Sequence, residues 1–453
     1  MTLQPKWMFR FHCPWRQPLG IALGLMLPFV SEAQTAKDAP KANDQWSEWV
    51  QKLGDPHFRQ RELASQTLRN AGSLALPALK SVTSNADPEL LQRAKELTAE
   101  IEAKSVLEPK IVSLKVANAP VKTVLDQLSK QTGYPIDIWN TPTQTITLDC
   151  VKKPFWMVLD QISEQAGLNL QQGYGDDRIR LNQTGNAPRF VDYSGPFRIA
   201  AQSIQQNKTV DLTNAKPAAN RTENLSLLYT VFSEPKMPIL GLGEAKLLAA
   251  FDSEGNSLIP QAVANPNGNM QAFRGRSVSR YGNGYRMLSM QSSINLKRQN
   301  ERCLEAAVIR VSVPANILIQ QESLTLSKDL LADKGKKFEG GGFIFQLDNA
   351  TMGTNGGLAI KMNIQDQSKD PTDMTWMNSL AQRIEVRDEK GTKLNLSGSH
   401  WGSSGPNFVQ MGFDYQPSTP AAAGKPQKFQ FTFHHWKTME TQITFELKNL
   451  PLP

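Results

Sequence analysis

Histidine, cysteine and clustered carboxylates would carry catalysis or hold a metal. In this 453-residue chain they are few and scattered. Apart from His12 near the N-terminus, the histidines are His57, His400, His434 and His435. Neighbours on a strand point to opposite faces, so His434 and His435 do not converge on one metal ion. The chain has no Cys-x-x-Cys, His-x-x-x-His or His-Glu-x-x-His, the spacings that bring zinc ligands together. Gly398-Ser399-His400-Trp401-Gly402 places histidine where a nucleophile elbow needs serine, and reads as a Gly/Ser loop. Gly340-Gly341-Gly342 is not followed by the Lys-Ser/Thr of a phosphate cradle. Asp366, Asp370 and Asp373 gather in a Pro-containing loop and could hold a weak calcium ion, without the dense alternating acids of a calcium loop. Trp376, Trp401 and Trp436 could line a carbohydrate or peptide groove; packing in a core or between domains is the simpler reading. No catalytic, cofactor-binding or metal-binding residue is assigned, and no cofactor is expected.

The strongest signal is a block that occurs twice. Residues 120–133 read P-V-K-T-V-L-D-Q-L-S-K-Q-T-G and residues 154–167 read P-F-W-M-V-L-D-Q-I-S-E-Q-A-G. Pro154 minus Pro120, Asp160 minus Asp126 and Gly167 minus Gly133 all give 34. Val121, Val124, Leu125 and Leu128 fall at i, i+3, i+4 and i+7, as do Phe155, Val158, Leu159 and Ile162. That spacing predicts two amphipathic helices, with Asp126, Asp160 and their neighbours facing water or a partner. Pro120 and Pro154 suit the first helical position, and Gly133 and Gly167 the left-handed residue that ends a helix. Strand-like runs flank each copy, Val112 to Val116 and Thr145 to Cys150 before, Ile136 to Ile138 and Leu168 to Leu170 after. A β-α-β unit is thus made twice. The two helices are expected to shield one shared sheet, in a small α/β domain over residues 107–185 that closes with a strand from Arg178 to Leu181.

The paired halves, with their L-D-Q-[LI]-S-x-Q-x-G core, resemble the secretin and TonB short N-terminal (STN) domain. The resemblance covers under a fifth of the chain. It implies a periplasmic interaction module rather than a catalyst. Secretins and TonB-dependent receptors carry a membrane β-barrel after this module. The later strands here are broken by charged residues on mixed faces, without lipid-facing stretches.

Lys6, Arg10 and Arg16 precede an apolar run from Leu19 to Val30, and Ser31-Glu32-Ala33 makes a small-x-small cleavage site. Residues 1–33 are therefore expected to be a signal peptide, cleaved near Ala33, giving a periplasmic or secreted protein with no integral membrane segment in the mature chain. Cys13 precedes the apolar run and is no lipoprotein cysteine. The formal net charge of +8 falls to +6 without Lys6, Arg10, Arg16 and Glu32. With no basic run interleaved with aromatics, no nucleic acid is expected as a partner. Cys150 and Cys303 remain. Export permits a disulfide between them; two separately buried thiols are the expectation.

Residues 34–44 read as a linker. Residues 45–104 carry helical patterns: Trp46, Trp49, Val50 and Leu53, then Leu90, Leu91, Ala94, Leu97 and Ile101. Asp55-Pro56 and Asp87-Pro88 look like N-caps followed by proline. The arrangement resembles HEAT-type repeats, with room for fewer than two, so it should lean on a neighbour or act as an adaptor. After Asn186 short alternating runs and turns predict antiparallel strands. Hairpins are expected at Arg280–Arg286, around Asn283-Gly284, and between Phe343–Leu347 and Leu358–Met362. D-x-x-G-x-x-L occurs at Asp252–Leu258 and Asp388–Leu394, an offset of 136. It suggests two tandem β-sandwiches, 188–316 and 317–453.

The expected fold is therefore multidomain α+β: a short helical segment, a small βαβ-βαβ domain and two C-terminal antiparallel β-sandwiches. The leading functional expectation is a non-enzymatic exported envelope protein, a scaffold that meets a protein partner or its own copies. A carbohydrate- or cell-wall-binding protein is the alternative, and a glycoside-hydrolase-like enzyme the second alternative.

Overall fold

In the computed structural model, residues 42–82, 87–140, 142–171, 177–183, 188–210, 221–260, 285–299, 302–353, 356–367, 375–417 and 428–453 are described. The expected signal peptide, most of the linker, the Asn283-Gly284 turn, Asp370 and Asp373 lie outside them. The chain divides into two units, Met1–Leu97 and Thr98–Pro453.

The first unit is helical: α1 (Ala42–Gln51), α2 (Phe58–Ala71), α3 (Leu76–Lys80) and the start of α4 (Pro88–Val106), with 3-10 turns at Lys52–Gly54 and Gly72–Ala75. Val50, Leu53, Ala64, Leu68, Leu79, Ala94 and Leu97 are buried, as the apolar stripes require. Asp87 Oδ1 accepts the Glu89 and Leu90 N–H groups at 2.9 and 3.2 Å, the expected cap of α4. Asp55 is different. α2 begins at Phe58, and Asp55 Oδ1 instead takes the N–H of His57 at 2.7 Å. The expected segment 45–104 also crosses the division between the units, which falls inside α4.

After the rest of α4, the second unit continues into the duplicated block. β1 (Ile111–Pro120), α5 (Val121–Thr132) and β2 (Ile136–Trp139) form the first copy; β3 (Thr145–Pro154), α6 (Phe155–Ala166) and β4 (Leu168–Gln171) the second; β5 (Ile179–Gln183) follows. Leu125 and Leu159 are both buried in one cluster with the flanking strands. Two expectations change. The strands make two sheets, not one: β1 pairs antiparallel with β3, while β2, β5 and β4 form a second sheet in which β2 runs parallel to β5. The prolines stand before the helices, not in them. Pro120 and Pro154 have φ −57° with ψ 137° and 144°, so each strand runs straight into its helix. Asn118 and Lys152, two residues before each proline, both take positive φ, 49° and 50°.

The rest is antiparallel β structure. β6 (Val191–Ser194), β7 (Phe197–Val210), β8 (Arg221–Ser233) and β11 (Ser289–Leu296) form a sheet in the order β11-β8-β7-β6. β13 (Lys337–Gly340), β14 (Phe343–Met352), β15 (Leu358–Asp366), β17 (Asn395–Gly405) and β18 (Phe408–Gln416) form another, ordered β13-β14-β15-β18-β17. Between them runs β10-β12-β19-β16, with β9 (Ile239–Leu242) also on β12; its members are β10 (Lys246–Asp252), β12 (Glu305–Ser327), β16 (Ile384–Asp388) and β19 (Phe429–Pro451). Helix α7 (Thr375–Arg383) precedes β16.

β12 and β19 are 23 residues each and pair from Glu305↔Pro451 to Ser327↔Phe431. One half of this ribbon closes a first core, where Ile309, Val311 and Val313 meet Ile443, Phe445 and Leu447 under Leu227, Tyr229 and Val231. The other half closes a second core of Phe429, Phe431 and Phe433 against Phe343, Phe345, Ile360 and Met362. Phe345 meets Phe431 edge-on at 5.4 Å. The expected boundary at 316/317 therefore falls inside β12, and the last strand of the chain serves the first core. There are two β lobes, knitted by a shared ribbon, not two beads on a string.

Candidate functional site

Two places in the second unit gather unusual side chains: the seat of the α/β module and a cleft at the middle of the ribbon. The seat comes first because it fixes the module. Trp156 and Phe155 on α6 are buried with Phe232, Ala200 and Leu288 of the first lobe. Trp156 Nε1 donates to the Pro196 carbonyl at 2.9 Å. Arg198, 2% exposed, donates from Nε to Asp160 at 2.7 Å and stacks on Phe232 at 5.3 Å. Tyr193 Oη donates to the same carboxylate at 2.6 Å. Asp160 is thus no solvated helix position but the counter-ion of a buried guanidinium. Its copy Asp126 is exposed. On the other side, fully buried Glu234 accepts the Lys110 N–H and the Tyr134 hydroxyl, each at 2.8 Å. Burial pushes the Glu234 carboxyl above its ordinary range, against the pull of these donors and of Lys236.

The cleft lies where the ribbon passes between the lobes. Its volume is about 400 Å³, and its walls are Leu240 to Gly243, Pro314 to Asn316, Trp376, Ser379, Arg383, Trp436, Thr438 and Glu440. Asn316 and Glu440 are partners in the β12–β19 register, near its midpoint. Gly243 lets the β9 segment close on β12: its N–H donates to the Pro314 carbonyl at 2.7 Å, and a Cβ there would sit 2.6 Å from Pro314 Cγ. Trp376 and Leu240 differ by 136 in number, the D-x-x-G offset, and both line this cleft.

The two D-x-x-G turns share one hydrogen-bond pattern. In each, the aspartate N–H donates to the carbonyl four residues on, Asp252 to Asn256 and Asp388 to Thr392, both at 2.9 Å. Each carboxylate accepts the matching N–H in return, at 2.8 Å. Gly255 and Gly391 supply φ of 84° and 80°, and Leu258 and Leu394 are buried. They are Asx turns, as their composition requires.

Arg383 is the most constrained group of the cleft. It is 6% exposed, its Nε donates to the His434 carbonyl at 3.1 Å, and its guanidinium covers the rings of Phe433, Phe343 and Trp436 at 4.5, 4.7 and 5.4 Å. It has no ion pair among the described residues. Burial draws its pKa down to about 10, opposed by Asp366, so it stays charged at neutral pH. The indole N–H groups of Trp376 and Trp436 and Asn316 Oδ1 are buried without a hydrogen-bond partner among the described residues.

Of the three tryptophans singled out in the sequence, two therefore meet in this cleft. Trp401 does not; half exposed on β17, it lines a separate hollow of about 360 Å³ with His400 and Asp414, which pair at 2.6 Å. His434 and His435 do face opposite ways. His435 lies against Gly341. His434 sits between Ser323 Oγ at 3.0 Å and Glu385 at 3.5 Å. That serine, imidazole and carboxylate lie on one sheet face, with Ser323 exposed. Burial would push Glu385 up, but Lys393 and Arg387 outweigh it and hold its carboxyl below the ordinary range. Glu385 is thus already matched by two cations, which blunts it as a partner for an imidazolium. Cys150 and Cys303 are both buried free thiols. Asp366 ends β15; no group of three metal-ligating side chains occurs among the described residues.

No family model matches the chain. No curated protein matches it either. Among solved structures it is similar to a conserved domain protein from Bacillus anthracis, at 9% identity over 56% of this chain and 88% of that one, with a TM-score of 0.14. Among the described residues no helix is long and apolar enough to cross a membrane.

Proposed function

We propose that this chain is an exported, non-enzymatic protein of the cell envelope, in which an STN-like module mounted on two β-sandwich lobes recognises a protein partner. One observation carries the reading: of the module's two helices, α6 is clamped on the first lobe and α5 is presented, while Tyr134 and Lys110 tie the base of the first copy to Glu234. Asp160 and Trp156 are spent on the first lobe, while Asp126, Gln127 and Lys130 on α5 face solvent. Beside α5, β2 pairs with β5 alone among the described residues, and Trp139 at its end is 76% exposed. A large apolar ring beside an open, unbulged strand edge suits an extended peptide of a partner, held by backbone pairing and capped by the indole. β1 and β3 also have open edges, but bulges interrupt their register, which discourages strand addition. The helical segment 45–104 would serve as an adaptor, and residues 1–33 as the export signal.

The test is affinity capture from envelope extracts with wild-type and Trp139→Asp protein side by side. The proposal expects a protein retained by the wild type and lost from the variant. Equal retention by both, or retention of nothing, would overturn it. The cell-wall- or carbohydrate-binding alternative is favoured by a different observation, the Trp376–Arg383–Trp436 cleft.

A further inference from the structure

A buried arginine with no carboxylate at ion-pair distance, only Asp366 acting on it from further away, is costly, and so is a buried indole N–H with no acceptor. Native proteins keep such groups where something else satisfies them. Here they coincide. Arg383, the Trp376 and Trp436 indoles and Asn316 Oδ1 all belong to one cleft of about 400 Å³, the size of a small-ligand site. The donors, two N–H groups and a permanent cation, call for an anionic acceptor. The acceptors, Asn316 Oδ1 and the exposed Glu440 carboxylate, call for a donor on the same ligand. Leu240 and Leu242 offer an apolar wall.

We propose that this cleft binds a small organic carboxylate that also bears an N–H or O–H donor. The carboxylate is taken by Arg383 and the two indole N–H groups, and the donor by Asn316 and Glu440. Arg383 is held ready for it: stacking on Phe343 and Phe433 and the bond from Nε to the His434 carbonyl fix its plane, so little side-chain freedom is lost on binding. Two sources share this chemistry, the C-terminal end of a peptide and an acidic sugar.

Calorimetric titration of the full chain separates them, with N-acetylalanine and glucuronate as probes and N-acetylalaninamide and glucose as their uncharged counterparts. At least one carboxylate should saturate a single site and bind about tenfold or more tighter than its uncharged counterpart, a difference of the size of one charge-assisted hydrogen bond. Binding of N-acetylalanine alone assigns the peptide end, of glucuronate alone the sugar acid, and of both the shared chemistry. Trp376→Phe and Trp436→Phe keep a ring and remove the N–H; each should weaken the bound probe about tenfold. If either variant melts below the wild type, Glu440→Gln, at an exposed position, takes its place, with an expected loss of about fivefold. No saturable binding of either carboxylate, equal binding of the uncharged counterparts, or unchanged binding by the folded variants would overturn the proposal.

Discussion

Asp126 and Asp160 occupy the same position in two copies of one motif, and their surroundings are opposite. Asp126 faces water on α5. Asp160 holds the buried Arg198 and the Tyr193 hydroxyl on α6. The helices around them are alike: 12 residues each, a proline before and a left-handed glycine after. Duplication supplied two equivalent surfaces, and packing on the first β lobe has used one. What separates the copies is one helix residue, Trp156 in place of Lys122, and what stands opposite it, a lobe that offers Arg198, Phe232 and the Pro196 carbonyl.

The comparison breaks most visibly by removing the two carboxylates. Asp160→Ala leaves a guanidinium that is 2% exposed without its partner, and should destabilise the protein by about 3–5 kcal/mol in denaturant unfolding. Asp126→Ala should change stability by less than about 0.5 kcal/mol. Trp156→Phe removes the indole bond to the Pro196 carbonyl, which keeps the Glu234 N–H as a donor at 3.2 Å; a loss of about 0.5–1.5 kcal/mol is expected in the same measurement. Lys122→Trp, which places the second copy's residue in the first, should leave stability nearly unchanged, since Lys122 is exposed.

Glu234 sharpens the comparison through pH. Its folded pKa is raised, chiefly by burial. The folded state then holds the proton more tightly than the unfolded chain does. Its contribution to stability is therefore greatest below the ordinary glutamate range and declines as pH rises from there through the folded pKa. Glu234→Gln should flatten that part of the pH profile of the melting temperature. A small stability effect is expected for Trp139→Asp as well. At an exposed strand end it should leave the melting temperature within about a degree or two of wild type, so that any loss of partner capture reports the surface and not the fold.

The two helices and their glycines are legible in the sequence because spacing and end chemistry agree over a dozen residues. The Asx turns at Asp252 and Asp388 are legible for the same reason: every hydrogen bond of the turn lies within five residues. The helix start near Asp55 is not, because the N-cap pattern there competes with a bond to His57. Asp160 could not be told from Asp126, since its meaning depends on Arg198, 38 residues away on another element. The paired backbone kinks at Asn118 and Lys152 escape notice because lysine carries no preference for positive φ. The ribbon is hidden for a further reason. Around Gln320–Glu322 and Lys437–Thr441 the strands cross from one lobe to the other and lose the alternation that marks a half-buried strand. A boundary between domains was expected where the chain in fact runs straight through. The cleft was half visible: Trp376 and Trp436 were candidates, but Arg383 gave no signal, since a single arginine at the end of a helix usually faces water.

Of the two helices, α6 is anchored on the first lobe and α5 is presented. Hydrogen exchange measured by mass spectrometry on full-length Asp160→Ala and Asp126→Ala reads this directly. Peptides from Phe155–Ala166 and Val191–Ala201 should exchange faster together in Asp160→Ala, and at the wild-type rate in Asp126→Ala. Unchanged exchange in Asp160→Ala, or the same acceleration in both variants, would contradict it.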